Sequence, residues 1–213
     1  TSSIMDVGYA IGNANSRKDF DLRKLFGRGI TYGCNSIHRD FVVENIVCNK
    51  LHHLQEAVEH NLQKKSYLFT TTDLINIVKN PHLQVLPEVA YTITHEKDEA
   101  KNWTSGSYAI LLAALENEIV TIIGYDFIGS GERSMKNPFG TINCIYSGSQ
   151  NNPKETAKQR DMGYDVQQIG HIIEHFNDVK FIFVNDWTPD SLLNHPNAYA
   201  DTYENLENQL LTT

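Results

Sequence analysis

The feature that most constrains this chain lies near its middle. A helical pattern opening at Thr104-Ser105-Gly106 carries Tyr108, Leu111, Leu112 and Leu115 on one side, then runs into Ile119 to Ile123. That strand has no polar alternation, so both of its faces are covered, as in a parallel strand between layers of helices. Gly124 bounds it and Asp126 ends it. A capped helix feeding a buried strand is half of a parallel crossover unit.

The same alternation recurs along the chain. Residues 7–11 read as a first strand ending at Gly12-Asn13, residues 30–34 as a second ending at Asn35, and residues 43–48 as a third ending at Asn49. Residues 50–62 read as a helix with Leu51, Leu54, Val58 and Leu62 on one face. Short strands follow at 67–70 and 83–86, separated by a helix capped by Asp73 and running to Val78. A second amphipathic helix carries Val166, Ile169, Ile173 and Phe176, and residues 179–184 form a last strand. The polar tail after Pro196 reads as an irregular or helical appendage. Residues 128–153, rich in Gly, Ser, Asn and Pro, read as a long lid loop. With 213 residues, 40% of them hydrophobic, the chain is long enough for one core, and a single domain over 1–213 is expected. The class is α/β: a mainly parallel sheet with helices on both faces.

The formal net charge of -8 disfavours a nucleic-acid partner. Arg17, Lys18, Arg23, Lys24 and Arg28 form a basic run that reads as a solvated face at least as readily as a binding patch. Three cysteines without CxxC spacing argue against a disulfide framework or structural zinc, and fit a cytoplasmic setting. No apolar run is long enough to span a membrane, and the first residues lack a signal-peptide pattern.

In parallel sheets, ligands bind beyond the carboxyl ends of the strands. Asn13, Asn35, Asn49 and Asp126 all fall there. The turn Gly12-Asn13-Ala14-Asn15-Ser16 allows close approach of backbone N–H groups to a ligand, though it is neither a Walker loop nor a GxGxxG fingerprint. Asn amides supply donors and acceptors without charge, yet Asn and Gly also make ordinary turns. Thr104-Ser105-Gly106 offers hydroxyls and N–H groups at a helix start, suited to an anion or simply to capping. His171 and His175 have metal-chelating spacing, but no HExxH pattern accompanies them, and a solvated helix face is the expectation; no metal site is assigned.

Taken in order, these segments resemble the bacterial lipooligosaccharide sialyltransferases, which use CMP-sialic acid. The similar stretches are Gly12-Asn13-Ala14-Asn15-Ser16 with Asp21 to Leu25, Cys34-Asn35, Asn49, Thr104-Ser105-Gly106-Ser107-Tyr108, Gly124-Tyr125-Asp126-Phe127 and Pro189-Asp190-Ser191-Leu192-Leu193. The resemblance implies a Rossmann-like domain with a lid. It also implies a nucleotide site formed by Gly12, Asn13, Asn15, Ser16, Asn35, Asn49, Thr104, Ser105 and Gly106. No cofactor or metal is implied beyond a nucleotide-sugar donor. Within Tyr146-Ser147-Gly148-Ser149-Gln150, Ser149 stands where the family has a lid histidine, and serine needs help to act as a base near neutral pH. Tyr146 is the counterpart nearest the family's lid tyrosines, and the region of Lys101 replaces an arginine. Ser149, Tyr146 and Asp126 are the catalytic candidates, with Asp126 equally readable as structural.

The expected activity is therefore transfer of a sugar from a CMP-type donor to a glycan or other hydroxyl acceptor. A non-catalytic nucleotide-binding protein of the same fold and a different nucleotide-dependent transferase stay open, as does a homo-oligomer.

Overall fold

The uncharged run Val7–Ile11 forms β1, and every residue after Val7 is buried. It is one of eight strands among the described residues: β2 (Ile30–Cys34), β3 (Asn45–Val47), β4 (Tyr67–Thr70), β5 (Gln84–Val85), β6 (Ile119–Ile123), β7 (Lys180–Val184) and β8 (Ala198–Asp201). The computed structural model describes residues 6–87, 103–127, 144–152, 163–185 and 187–212.

All neighbouring strands run parallel, in the order β5-β4-β3-β2-β1-β6-β7-β8. The chain enters at the centre, winds outward to β5, and returns to the other side of β1 to build β6 to β8. The direction of winding thus reverses between β1 and β6, the switch point beyond which open α/β sheets bind their ligands. This is an α/β, Rossmann-like sheet, parallel throughout.

Helices cover both faces. Alternate residues of each strand feed two separate cores. Ala10, Ile122 and Phe183 join Trp103, Tyr108, Ile110 and Ile172 on one side, with helices α4 (Ser105–Glu116) and α5 (Gly163–His175). Ile11, Ile123 and Val184 join Leu54, Leu25 and Leu206 on the other, with α1 (Leu51–Glu59) and α7 (Tyr203–Leu211). The remaining helices are short: α2 (Leu62–Lys65), α3 (Thr72–Val78) and α6 (Asp190–Leu193).

Several expected boundaries move. The helix expected over 50–62 breaks between α1 and α2, where Asn61 turns left-handed at φ 59°. Thr71, not Asp73, caps α3, accepting the Leu74 N–H; Asp73 lies in the first turn, where its charge suits the helix dipole. Helix α4 is not one-sided: it is buried from Ser107 to Ala114, whereas Leu115 is 54% exposed. The strands at 43–48 and 83–86 shorten to β3 and β5. The tail after Pro196 contains β8 and α7. Edge strand β8 buries only Ala198 and leaves Tyr199 47% exposed, so it carries no apolar run. Among the described residues, no helix is long and apolar enough to cross a membrane.

Candidate functional site

The site grows from the loop after β1. A Cβ on Gly12 would lie 2.3 Å from the Gly124 carbonyl oxygen and 2.9 Å from the Tyr125 ring. Only glycine lets the ends of β1 and β6 meet here, where the Gly12 N–H donates to Ile123 O at 2.7 Å and the Ala14 N–H to Gly124 O at 3.1 Å. Beyond it, Asn15–Arg17 makes one 3-10 turn. Its start is held from both flanks: the Ser16 N–H donates to Asp126 Oδ2 at 3.0 Å, and the Ser16 hydroxyl lies 2.9 Å from that of Tyr203. Asp126 is buried, Ser16 is half-buried and Asn15 is exposed.

The strand register brings the asparagines to one edge. Ile11 faces Gly33 and Ile123, and Cys34 faces Val47. The Asn13 amide donates to the Cys34 carbonyl at 3.0 Å. Asn35 sits left-handed at φ 53°, and its Oδ1 is enclosed without a described partner. The Ser105 hydroxyl donates to Asn49 Oδ1 at 2.7 Å and accepts the Asn49 N–H at 3.2 Å, while the Asn49 amide also donates to the Trp103 carbonyl. Asn13, Asn35, Asn49 and Ser105 therefore stand at the ends of β1, β2, β3 and α4, Asn13 bonded to the end of β2 and Asn49 to Ser105. Thr104 caps α4 by accepting the Ser107 N–H at 3.1 Å, and its own N–H donates to Gln168. The N–H groups of Ser105 and Gly106 donate to no described residue, as expected at a helix start. The Gly106 carbonyl accepts the Tyr125 hydroxyl at 2.8 Å.

Arg17 corrects one expectation. The basic run does not act as one solvated face: Lys18, Arg23 and Lys24 are exposed, but Arg17 is only 4% exposed and points inward. Its Nε donates to Gly12 O at 2.5 Å, and its Nη2 to Asn13 Oδ1 at 3.1 Å and the Tyr146 hydroxyl at 3.2 Å. Tyr146, buried, donates in turn to Asp40 Oδ2 at 2.7 Å. Burial, reinforced by that bond to Asp40, pushes the phenol well above its ordinary range, so it stays protonated.

Of the 128–153 stretch, the portion 144–152 is described; residues 128–143 and Lys101 lie outside the described residues. The 144–152 segment packs beside the 3-10 helix Asn35–Arg39 and α1. The Ile145 N–H donates to Asn13 O at 2.8 Å. Ser149, exposed, donates to the Tyr146 carbonyl at 2.5 Å and accepts Arg39 Nη1 at 2.6 Å. Arg39 also donates to the Gln150 carbonyl and pairs with Glu56. Glu56 is 4% exposed and accepts further bonds from His38 at 2.8 Å and Asn151 at 3.4 Å. Burial alone would raise the Glu56 carboxyl, but the hydrogen bonds from Arg39 and His38 outweigh it and hold the group below its usual range. Burial lowers His38 despite Glu56, so Arg39 supplies the balancing charge. His53, packed 4.3 Å from the His52 ring, is pushed down to about 4 by burial and then by His52.

Arg17, Asp40, Arg39, Glu56 and His38 are additions that no motif announced. The signal available was the Arg17 position, four residues past Asn13, within reach of the turn's own acceptors. Among the described residues no group of three His, Cys, Asp or Glu side chains forms a metal-sized cluster; His171 is half-buried and His175 exposed.

No family model and no curated protein matches the sequence. Among solved structures, the chain is similar to an α-2,3-sialyltransferase from Campylobacter jejuni in apo form, at 17% identity and a TM-score of 0.50, over 92% of this chain and 80% of that one. The architecture that carries these asparagines is thus a sialyltransferase-like, Rossmann-like α/β fold.

Proposed function

We propose that this chain binds a CMP-activated sugar, of the CMP-sialic acid type, and transfers the sugar to a hydroxyl acceptor. The observation that carries the reading is the placement of Asn13, Asn35, Asn49 and Ser105 along the carboxyl edge of a sialyltransferase-like sheet, with Asn13 bonded to the end of β2 and Ser105 to Asn49. In this reading the neutral amides meet the cytidine, while the loop Gly12 to Ser16 and the start of α4 at Thr104 to Gly106 meet the phosphate. No metal is needed, because N–H groups and hydroxyls face the charge.

In the transfer, the acceptor oxygen attacks the anomeric carbon and the bond from that carbon to the phosphate oxygen breaks. CMP leaves with the electron pair, and the acceptor proton passes to a base. Orientation supplies much of the rate, and the helix start stabilises the leaving phosphate. Tyr146 acts as a neutral hydroxyl beside Arg17. Asp126 is the carboxylate candidate for the base, though its Oδ2 already accepts the Ser16 N–H.

One observation favours a second reading, a nucleotide-binding protein without turnover: both sides of the Ser149 hydroxyl are engaged, by Arg39 and by the Tyr146 carbonyl. Incubation with CMP-sialic acid and a panel of glycan acceptors separates the two. Release of CMP above the no-protein control supports transfer. Thermal stabilisation by CMP without release supports the second reading. Stabilisation by purine nucleotides alone points to a different nucleotide-dependent transferase and sinks the cytidine assignment.

A further inference from the structure

A buried guanidinium is costly unless its charge is met and its N–H groups are paired. Arg17 meets neither condition fully. Its three acceptors are a backbone carbonyl, an amide oxygen and a phenol, all neutral. Among the described residues the ion pairs are Arg23–Asp21, Lys24–Glu207, His38–Glu56 and Arg39–Glu56; none involves Arg17. Asp40 reaches it only through the Tyr146 hydroxyl. Guanidinium carries five N–H donors, and the Nη1 pair donates to no described residue.

The head is also fixed in place. The Arg17 Cγ and Cδ pass Gly124 so closely that a Cβ there would stand 3.1 Å from each. Gly12, whose carbonyl holds Arg17 Nε, lies against the Tyr125 ring, and a Cβ on Gly106 would stand 3.1 Å from the same ring. One aromatic ring therefore separates the Arg17 loop from the first turn of α4, whose Ser105 and Gly106 N–H groups donate to no described residue.

We infer that Arg17 is the cation of an anion-binding site beyond the carboxyl ends of β1 and β6, and that its ligand is a phosphate group. A preorganised guanidinium edge suits phosphate oxygens better than a mobile ammonium does. The identification of that phosphate with the donor nucleotide's rests on the function proposed above; the anion site itself rests on Arg17.

The test is titration calorimetry of CMP and of cytidine on the full chain, with inorganic phosphate in a parallel thermal-shift series. Wild type is expected to prefer CMP over cytidine by about tenfold or more, and Arg17→Met to abolish that preference while cytidine affinity stays within about twofold. Arg17→Lys keeps a point charge and loses the fork, so its preference falls between the two. An Arg17→Met variant that keeps the wild-type CMP-to-cytidine ratio overturns the inference and leaves the cytidine reading standing. Should Arg17→Met fail to fold, an unchanged ratio in the neutral Arg17→Gln overturns it equally. If wild type binds neither cytidine nor CMP, but phosphate stabilises it and not the Arg17 variants, the anion site holds and the cytidine reading fails. No stabilisation of wild type by phosphate and no CMP preference overturns both.

Discussion

The side chains of Asn49 and Ser105 lock each other across the end of β3 and the start of α4: the hydroxyl donates to the amide oxygen at 2.7 Å while accepting the Asn49 backbone N–H at 3.2 Å. Both residues are buried. Removing the hydroxyl strands two polar groups at once. Ser105→Ala is expected to cost about 1–3 kcal/mol of stability by urea denaturation. In a double-mutant cycle with Asn49→Ala, the two losses should fall short of additivity by about 1 kcal/mol. Simple additivity would mean that the pair is not coupled.

Glu56 anchors the 144–152 segment through Arg39 and Asn151. Glu56→Ala leaves the Arg39 charge and the buried His38 without their acceptor, and is expected to cost about 3–5 kcal/mol. Arg39→Ala removes the strap to Ser149 and Gln150 along with the positive charge. Under native conditions it should hasten proteolytic cleavage around residues 149–151 more than it lowers the denaturation midpoint. Cleavage at the wild-type rate would show that Arg39 does not hold the segment.

His53 is 8% exposed and stays neutral to about pH 4, against an ordinary value of 6.5. The unfolded chain takes up a proton near pH 6.5 that the folded chain refuses until about pH 4. Its contribution is therefore complete above pH 6.5 and is lost as the pH falls toward 4. His53→Leu should flatten the fall in urea midpoint across that window and leave the midpoint above pH 7 nearly unmoved. A slope identical to wild type would exclude His53 as its source.

Gly12→Ala places a Cβ 2.3 Å from a backbone oxygen of Gly124, where no flexible side chain can yield. A loss of about 1–3 kcal/mol, or more, is expected by thermal or chemical denaturation. An unchanged stability would show that β1 and β6 separate freely at this point.

Much of the fold was legible because buried parallel strands are written as short, mostly apolar runs without charged residues. Val7–Ile11, Ile30–Cys34 and Ile119–Ile123 begin and end where their patterns do. β8 was not legible: an edge strand needs only one inward residue, Ala198, and its Tyr199 and Asp201 look like loop. The strand-end asparagines could be found because topology alone sends them to one edge. The Arg17–Tyr146–Asp40 chain could not, since it joins residues 129 and 106 positions apart in sequence. Nor could the inward turn of Arg17 be separated from its exposed neighbours by composition, because a single 3-10 turn decides which way it faces.

Helix α7 closes against the opening residues of the chain. Leu206 and Leu210 share a core with Leu22 and Leu25, Glu207 pairs with Lys24, the Leu210 carbonyl accepts from Arg28, and Tyr203 touches both Phe20 and Ser16. On the ribosome, the loop after β1 must wait for a partner 187 residues downstream before it can settle. Shortening of α7 by proteolysis would accordingly be felt at Ser16, on the edge where the asparagines converge.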